Sequence, residues 1–205
     1  MSMREIVPGL WHWTAVHPHI RSRVSSYYLS TPGVLIDPLA PEEGIEWFAD
    51  HGPPTAILLS NRHHFRDCAT FVEAFSIPIR ASRPGMHEFG PGQGVVPFDF
   101  GDMVPGDVVT HEVGAICPDE TALEIPGLRA LSVADGVVRL DQTGPLGFVP
   151  DFLLGEDPED VKRGLCAAYT GLLGLDFDHL LLAHGEPIVG VGKARLREFV
   201  QSASA

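Results

Sequence analysis

Leu58 to Cys68 reads LLSNRHHFRDC. Its first residues close a short apolar run, TAILLS (Thr55 to Ser60), bounded by turn residues, which is the pattern of a strand buried on both faces. The chain then enters a helix over Asp67 to Phe75. Two histidines, an aspartate and a cysteine therefore fall within one strand-to-helix turn. Imidazole, carboxylate and thiolate are the ordinary ligands of zinc-like ions. Two further candidates sit at equivalent places far along the chain. Asp135 directly follows the strand RALSVA, and His184 directly follows the strand HLLLA, with Gly185 behind it to allow a close turn. Polar residues just beyond strand ends are where α/β sheets assemble their sites.

Working outward, Val24 to Ser30 and Gly33 to Asp37 read as a strand pair around the Thr31-Pro32 turn. Pro41 to Asp50 reads as a helix with Pro41 in its first turn, and Ile77 to Ala81 as the next strand. Residues 83–106 are loop-rich. Val108 to Val113, Thr121 to Ile125 and Arg129 to Ala134 read as strands. Asp157-Pro158-Glu159-Asp160 is a helix start: a capping aspartate, a proline at the first helical position, then acids on the positive helix end. His179 to Ala183 is a strand, and Val191 to Ser202 a final helix. Two sheet-and-helix halves fit a four-layer αββα sandwich, although the pattern alone does not separate this from other α/β arrangements.

In order, these features resemble the metallo-β-lactamase superfamily. Its first motif, H-x-H-x-D-H after a strand, is matched by His63-His64-Phe65-Arg66-Asp67-Cys68. Its G-H turn resembles Gly114-Ala115-Ile116-Cys117-Pro118, its bridging aspartate Asp135 in SVADG, and its last histidine His184 in LLAHG. The opening SYYLSTPGVLIDP (Ser26 to Pro38) is similar to the family's strand pair ending in an aspartate. The similarity runs over roughly residues 5–200. It implies an α/β, four-layer αββα fold forming one domain over residues 1–205.

The departures are equally informative. One family metal is held by both histidines of H-x-H and by the G-H histidine. Here those places hold His63, Phe65 and a non-histidine near Ala115, so that site is expected to be lost. The second is held by the places of Asp67, Cys68, Asp135 and His184, all able to ligate. The resemblance thus implies at most one transition metal (zinc, iron or manganese), with ligands drawn from His63, Asp67, Cys68, Asp135 and His184, and a metal-free protein is an equal alternative. His63, Asp67, Asp135 and His184 are expected to converge on one cleft. Asp67 and Asp135 are the candidate catalytic groups, with Asp67 able to orient or deprotonate a water.

Composition bounds the function classes. A net charge of −13 over 205 residues argues against a broad nucleic-acid or anionic-membrane surface. The start carries no signal-peptide pattern, and no stretch reaches the roughly 18 apolar residues of a membrane helix. Three cysteines, Cys68, Cys117 and Cys166, suit a reducing, cytoplasmic compartment without a disulfide framework. Arg62, Arg66, Arg80 and Arg83 read first as solvated and second as binders of a carboxylate or phosphate. His87 and His111 read as structural, and Trp11, Trp13 and Trp47 as core or sheet cover. The readings left open are a one-metal hydrolase of a small ester, thioester, amide or lactone, a metal-free protein that binds a small molecule, and a structural subunit.

Overall fold

The computed structural model describes residues 2–203. Strands β1 (Arg4–Val7), β2 (Leu10–Val16), β3 (Arg23–Leu29) and β4 (Val34–Ile36) form an antiparallel meander. β5 (Ala56–Leu58), β6 (Ile79–Ser82) and β7 (Val95–Phe98) extend it in parallel, giving seven strands in chain order. The second sheet, of five strands, runs β12-β11-β10-β9-β8. It is built from β8 (Met103–Val104), β9 (Val108–Glu112), β10 (Thr121–Ile125), β11 (Ala130–Val133) and β12 (His179–Leu182). Only β11 and β12 pair in parallel in this sheet.

Three apolar clusters fill the three spaces between four layers. Between the sheets, Leu10, Tyr27, Leu29, Val34 and Ile36 meet Val108, Leu123, Ile125 and Leu181. On the outer face of the first sheet, Trp13, Tyr28, Leu35 and Ile57 pack under α1 (Trp47–His51) and α2 (Cys68–Phe75) through Phe48 and Phe71. On the outer face of the second, Leu131, Val133, Leu180 and Leu182 pack under α3 (Pro158–Leu172) and α4 (Gly192–Ala203) through Leu165, Tyr169, Leu196 and Phe199. Covering both faces of each sheet explains why β3 to β6 are almost wholly buried and why β4 and β5 read as apolar runs. The architecture is the αββα sandwich expected.

Several elements differ from expectation. The helix expected over 41–50 is confined to Trp47–His51, because Gly44 sits at φ 80°, a left-handed conformation that no right-handed helix passes through. β1 and β2 were not anticipated. The loop-rich span 83–106 contains β7 and β8, and β7 tolerates Pro97 because it lies at the sheet edge. At α3 the expected cap is present, with the Asp157 side chain accepting from Asp160 N at 3.0 Å. α4 begins at Gly192, where a Cβ would stand 2.4 Å from Leu180 N, so only glycine lets the helix start so close to β12. All three cysteines are free and buried. Among the described residues, no helix is long and apolar enough to cross a membrane.

Candidate metal centre

The parallel register brings the strand-end residues to one level. Val133 pairs with Leu182, so Asp135 and His184 each lie two residues past a paired position. Ile36 pairs with Leu58 in the other sheet, which sets Asp37 beside Ser60 and the turn after it. That turn is a 3-10 segment, Arg62–Phe65, opened by Asn61, whose Oδ1 accepts from His63 N at 2.9 Å. With the start of the turn fixed this way, neighbouring side chains point in different directions, and His64 is the one that faces inward.

His64 Nε2 lies 3.3 Å from Asp135 Oδ1, and His184 Nε2 lies 3.1 Å from the same oxygen. One donor atom from each of His64, Asp135 and His184 falls within 4.8 Å of the others. Ligands about 2.1 Å from a tetrahedral ion stand about 3.4 Å apart, so this spacing fits a shared ion. Asp135 Oδ2 accepts from Asn61 Nδ2 at 2.9 Å, whereas the buried Oδ1 makes no hydrogen bond of good geometry. An orphaned buried oxygen between two imidazole nitrogens is a place for a cation. Behind it, His64 Nδ1 lies 2.9 Å from Asp37 Oδ2. A carboxylate on the far ring nitrogen is the usual support of a metal-ligating histidine. Ser60 holds Asp37 in turn, donating from N to Oδ1 at 2.9 Å and from Oγ to Oδ2.

The charges are strongly coupled. Burial opposes a charged His64, yet Asp37 and Asp135 push its pKa up to about 9. Burial likewise opposes a charged Asp135, but His64 and His184 hold it well below the ordinary carboxylate range. Asp37 is lowered in the same manner, its burial outweighed by His64 and Arg66. The Arg66 side chain sits under the site, its Nη1 donating to Ser25 O at 2.7 Å and Asp37 O at 2.6 Å. Glu120 lies behind Asp135 and accepts from Gly136 N at 2.6 Å, and burial followed by the Asp135 charge raises its pKa to about 8.

The turn carrying His184 is held from the other sheet by β3. Ser25 N donates to Ala183 O at 2.9 Å and Ser25 Oγ donates to Gly185 O at 2.8 Å. Buried His12 faces Ser25 Oγ through Nε2 at 3.0 Å. Burial and then the Arg4 charge lower its pKa to about 3, so the ring is neutral. Tyr27 Oη donates to Leu182 O at 2.8 Å and accepts from Leu182 N at 2.9 Å.

Of the expected ligand set, the structure brings Asp135 and His184 together and joins them to His64 instead of His63. His63 is exposed and outside the cluster. Asp67 also lies outside it, and its Oδ2 accepts from Ala40 N at 2.8 Å. Cys68 is fully buried in the apolar layer under α2, and burial pushes its thiol pKa well above the ordinary value, which disfavours a ligating thiolate. Phe65 packs in that layer against Phe89, with ring centroids 5.9 Å apart. Asp37, Ser60 and Asn61 were not expected as site residues. The Asp ending the strand pair was the available signal for Asp37, while Asn61 and Ser60 look like ordinary turn residues. Away from the site, Arg83 pairs with exposed Asp99, and His111 pairs with Glu124 on the second sheet. Trp13 donates from Nε1 to Leu39 O in the core, and Trp11 packs on Trp47.

No protein-family model matches this sequence, and neither does any curated protein sequence. Solved structures do match. Rubredoxin oxygen:oxidoreductase from Desulfovibrio gigas aligns with a TM-score of 0.71 at 14% identity, over 99% of this chain. This chain spans only 62% of that protein's length. A metallo-β-lactamase family protein from Thermus thermophilus aligns with a TM-score of 0.69 at 14% identity, over 98% of this chain and 81% of that one. The metallo-β-lactamase FIM-1 from Pseudomonas aeruginosa, in its mono-zinc form, gives 0.69 at 16% identity, over 99% and 94% of the two chains. At such identities the likeness shows the fold alone: this chain has the metallo-β-lactamase fold.

Proposed function

We propose that the protein is a one-metal hydrolase of a small ester, thioester, amide or lactone, working in the cytoplasm, with its ion held by His64, Asp135 and His184. The observation that carries this reading is the buried Asp135 Oδ1, which lies 3.3 and 3.1 Å from two imidazole nitrogens without a hydrogen bond. A bound divalent ion supplies a water of pKa near 7 and polarises a substrate oxygen. The chain's own residues do the rest. Asp135 contributes the charge that balances the ion, Asn61 fixes its second oxygen, and Asp37 keeps the His64 proton on Nδ1 so that Nε2 is free to ligate. Ser25, backed by His12, holds the turn that presents His184. The exposed fractions of Asp135 and His184, 23% and 21%, leave the cluster open to a small substrate.

A second reading rests on the same atoms. With its pKa at about 9, His64 is an imidazolium between Asp37 and Asp135, a cation that stands where an ion would. The protein is then a metal-free binder of small molecules. Titration of metal-free protein with zinc, manganese and iron(II) by calorimetry, followed by ester and thioester assays, separates the two. One ion per chain together with hydrolysis supports the first reading. No uptake at any pH up to 9 leaves the second.

A further inference from the structure

A cleft of about 780 Å³ opens between α4 and the loops 143–146 and 187–191, and none of His64, Asp135 and His184 lines it. We propose that this cleft binds a small carboxylate carrying an apolar tail. Its size falls within the range of ligand pockets, roughly 300–1,000 Å³. Leu146, Ile188, Val191 and Phe199 supply an apolar wall, and Arg139 and Arg195 are its cations.

Arg139 is built into place. Its Nε donates to Gly144 O at 2.7 Å, its Nη1 to Glu186 O at 3.0 Å and its Nη2 to Thr143 O. Two of its five N–H groups are not used by these bonds. These bonds are part-buried, so the guanidinium is held in the cleft wall and incompletely hydrated. Of the carboxylates close by, Glu186 pairs with Arg4 through Oε2 while its buried Oε1 makes no hydrogen bond, and Glu198 pairs with Arg195 at 2.8 Å on the exposed rim. A rim pair of that kind contributes little and yields readily to an incoming anion. A planar carboxylate matches the guanidinium fork, and the tail covers the wall that water otherwise wets. The cleft adjoins the metal centre, since Arg139 N donates to His184 O at 2.9 Å, but the binding proposed does not depend on an ion being present.

The test is titration of the full chain with octanoate, followed by amide NMR shifts and calorimetry, with octylamine as the cationic control. Octanoate is expected to saturate at about 10 mM or below, with shifts centred on residues 139–146, 187–191 and α4. Arg195→Glu, on the exposed face of a helix, is expected to weaken it by about tenfold or more, and Ser202→Trp to block it by filling the cleft. Octylamine is expected not to compete. Absence of saturable octanoate binding, equal competition by octylamine, or binding unchanged in both variants overturns the proposal.

Discussion

Two aspartates, Asp119 buried and Asp135 partly so, flank the same short turn and do opposite things. Asp119 has both oxygens occupied by one residue: Oδ2 accepts from Arg62 N at 2.6 Å and Oδ1 from the Arg62 guanidinium. Its backbone oxygen accepts from Ser82 and Thr121 hydroxyls as well. Asp135 has one oxygen held by Asn61, while the other faces two imidazole nitrogens without a bond. The first carboxylate is closed by the protein and ties the loop 113–120 to the turn. The second has one oxygen left open between the two imidazoles, the place that an ion is proposed to take. Burial and charge alone do not tell a structural acid from a ligating one. The unfilled valence of the acceptor is what makes Asp135 the candidate ligand.

The largest effect that would break this contrast is expected at the open aspartate. Asp135→Asn retains the volume and the Asn61 contact but removes the charge, so zinc uptake should fall by about a thousandfold or more, with the fold intact by circular dichroism. Unchanged zinc affinity would mean that the open oxygen is not a ligand. At the closed aspartate the effect should appear in stability. Asp119→Ala strands a half-buried Arg62 charge and is expected to cost about 3 kcal/mol in urea unfolding while leaving metal uptake close to wild type. If instead Asp119→Ala abolished metal uptake with little loss of stability, the contrast would be reversed.

Support from behind the centre should matter less. Asp37→Asn loosens the His64 ring and is expected to weaken metal binding by about 10- to 100-fold. The smallest and most diagnostic change is with pH. In the metal-free protein the pKa of His64 is raised to about 9 from 6.5, and that of Glu120 to about 8 from 4.5. Both groups hold protons more tightly when folded, so their contribution to stability is complete at low pH and is lost as pH rises through those values. The melting temperature of metal-free protein should therefore fall between pH 5 and 9. Zinc affinity should rise over pH 6.5 to 9, since the proton competes for His64 Nε2. A melting temperature flat across this interval would show that His64 is not clamped between the two carboxylates.

Much of this was legible in the sequence. β5, β11 and β12 are apolar runs because both their faces are covered, and a polar residue just past such a run marks a strand end at the sheet edge. That is how Asp135 and His184 stand out. β2 was not legible, because LWHWTAV owes the burial of His12 to a neutral ring bonded to Ser25, a tertiary fact hidden behind a polar letter. The choice between His63 and His64 was equally hidden. Two adjacent histidines in a motif look alike, and which one faces inward depends on Asn61 capping the turn and Asp37 waiting just past the end of β4. The resemblance named His63, and the histidine that faces Asp135 and His184 is its neighbour His64.

The bonds from β3 to the His184 turn carry a consequence for the order in which the chain is made. Tyr27 and Ser25 leave the ribosome early, but the carbonyls they hold belong to residues 182–185. His184 comes 120 positions after His64 (184 − 64), a stretch that at about 5–20 residues per second takes roughly 6–24 s to synthesise. Asp37 and His64, which follow the paired strands β4 and β5, are both made before that interval, whereas Asp135 and His184 are made during it. On the proposed reading, capture of an ion is thus among the last events of biogenesis, a step reserved for a chain whose second sheet has already docked on its first.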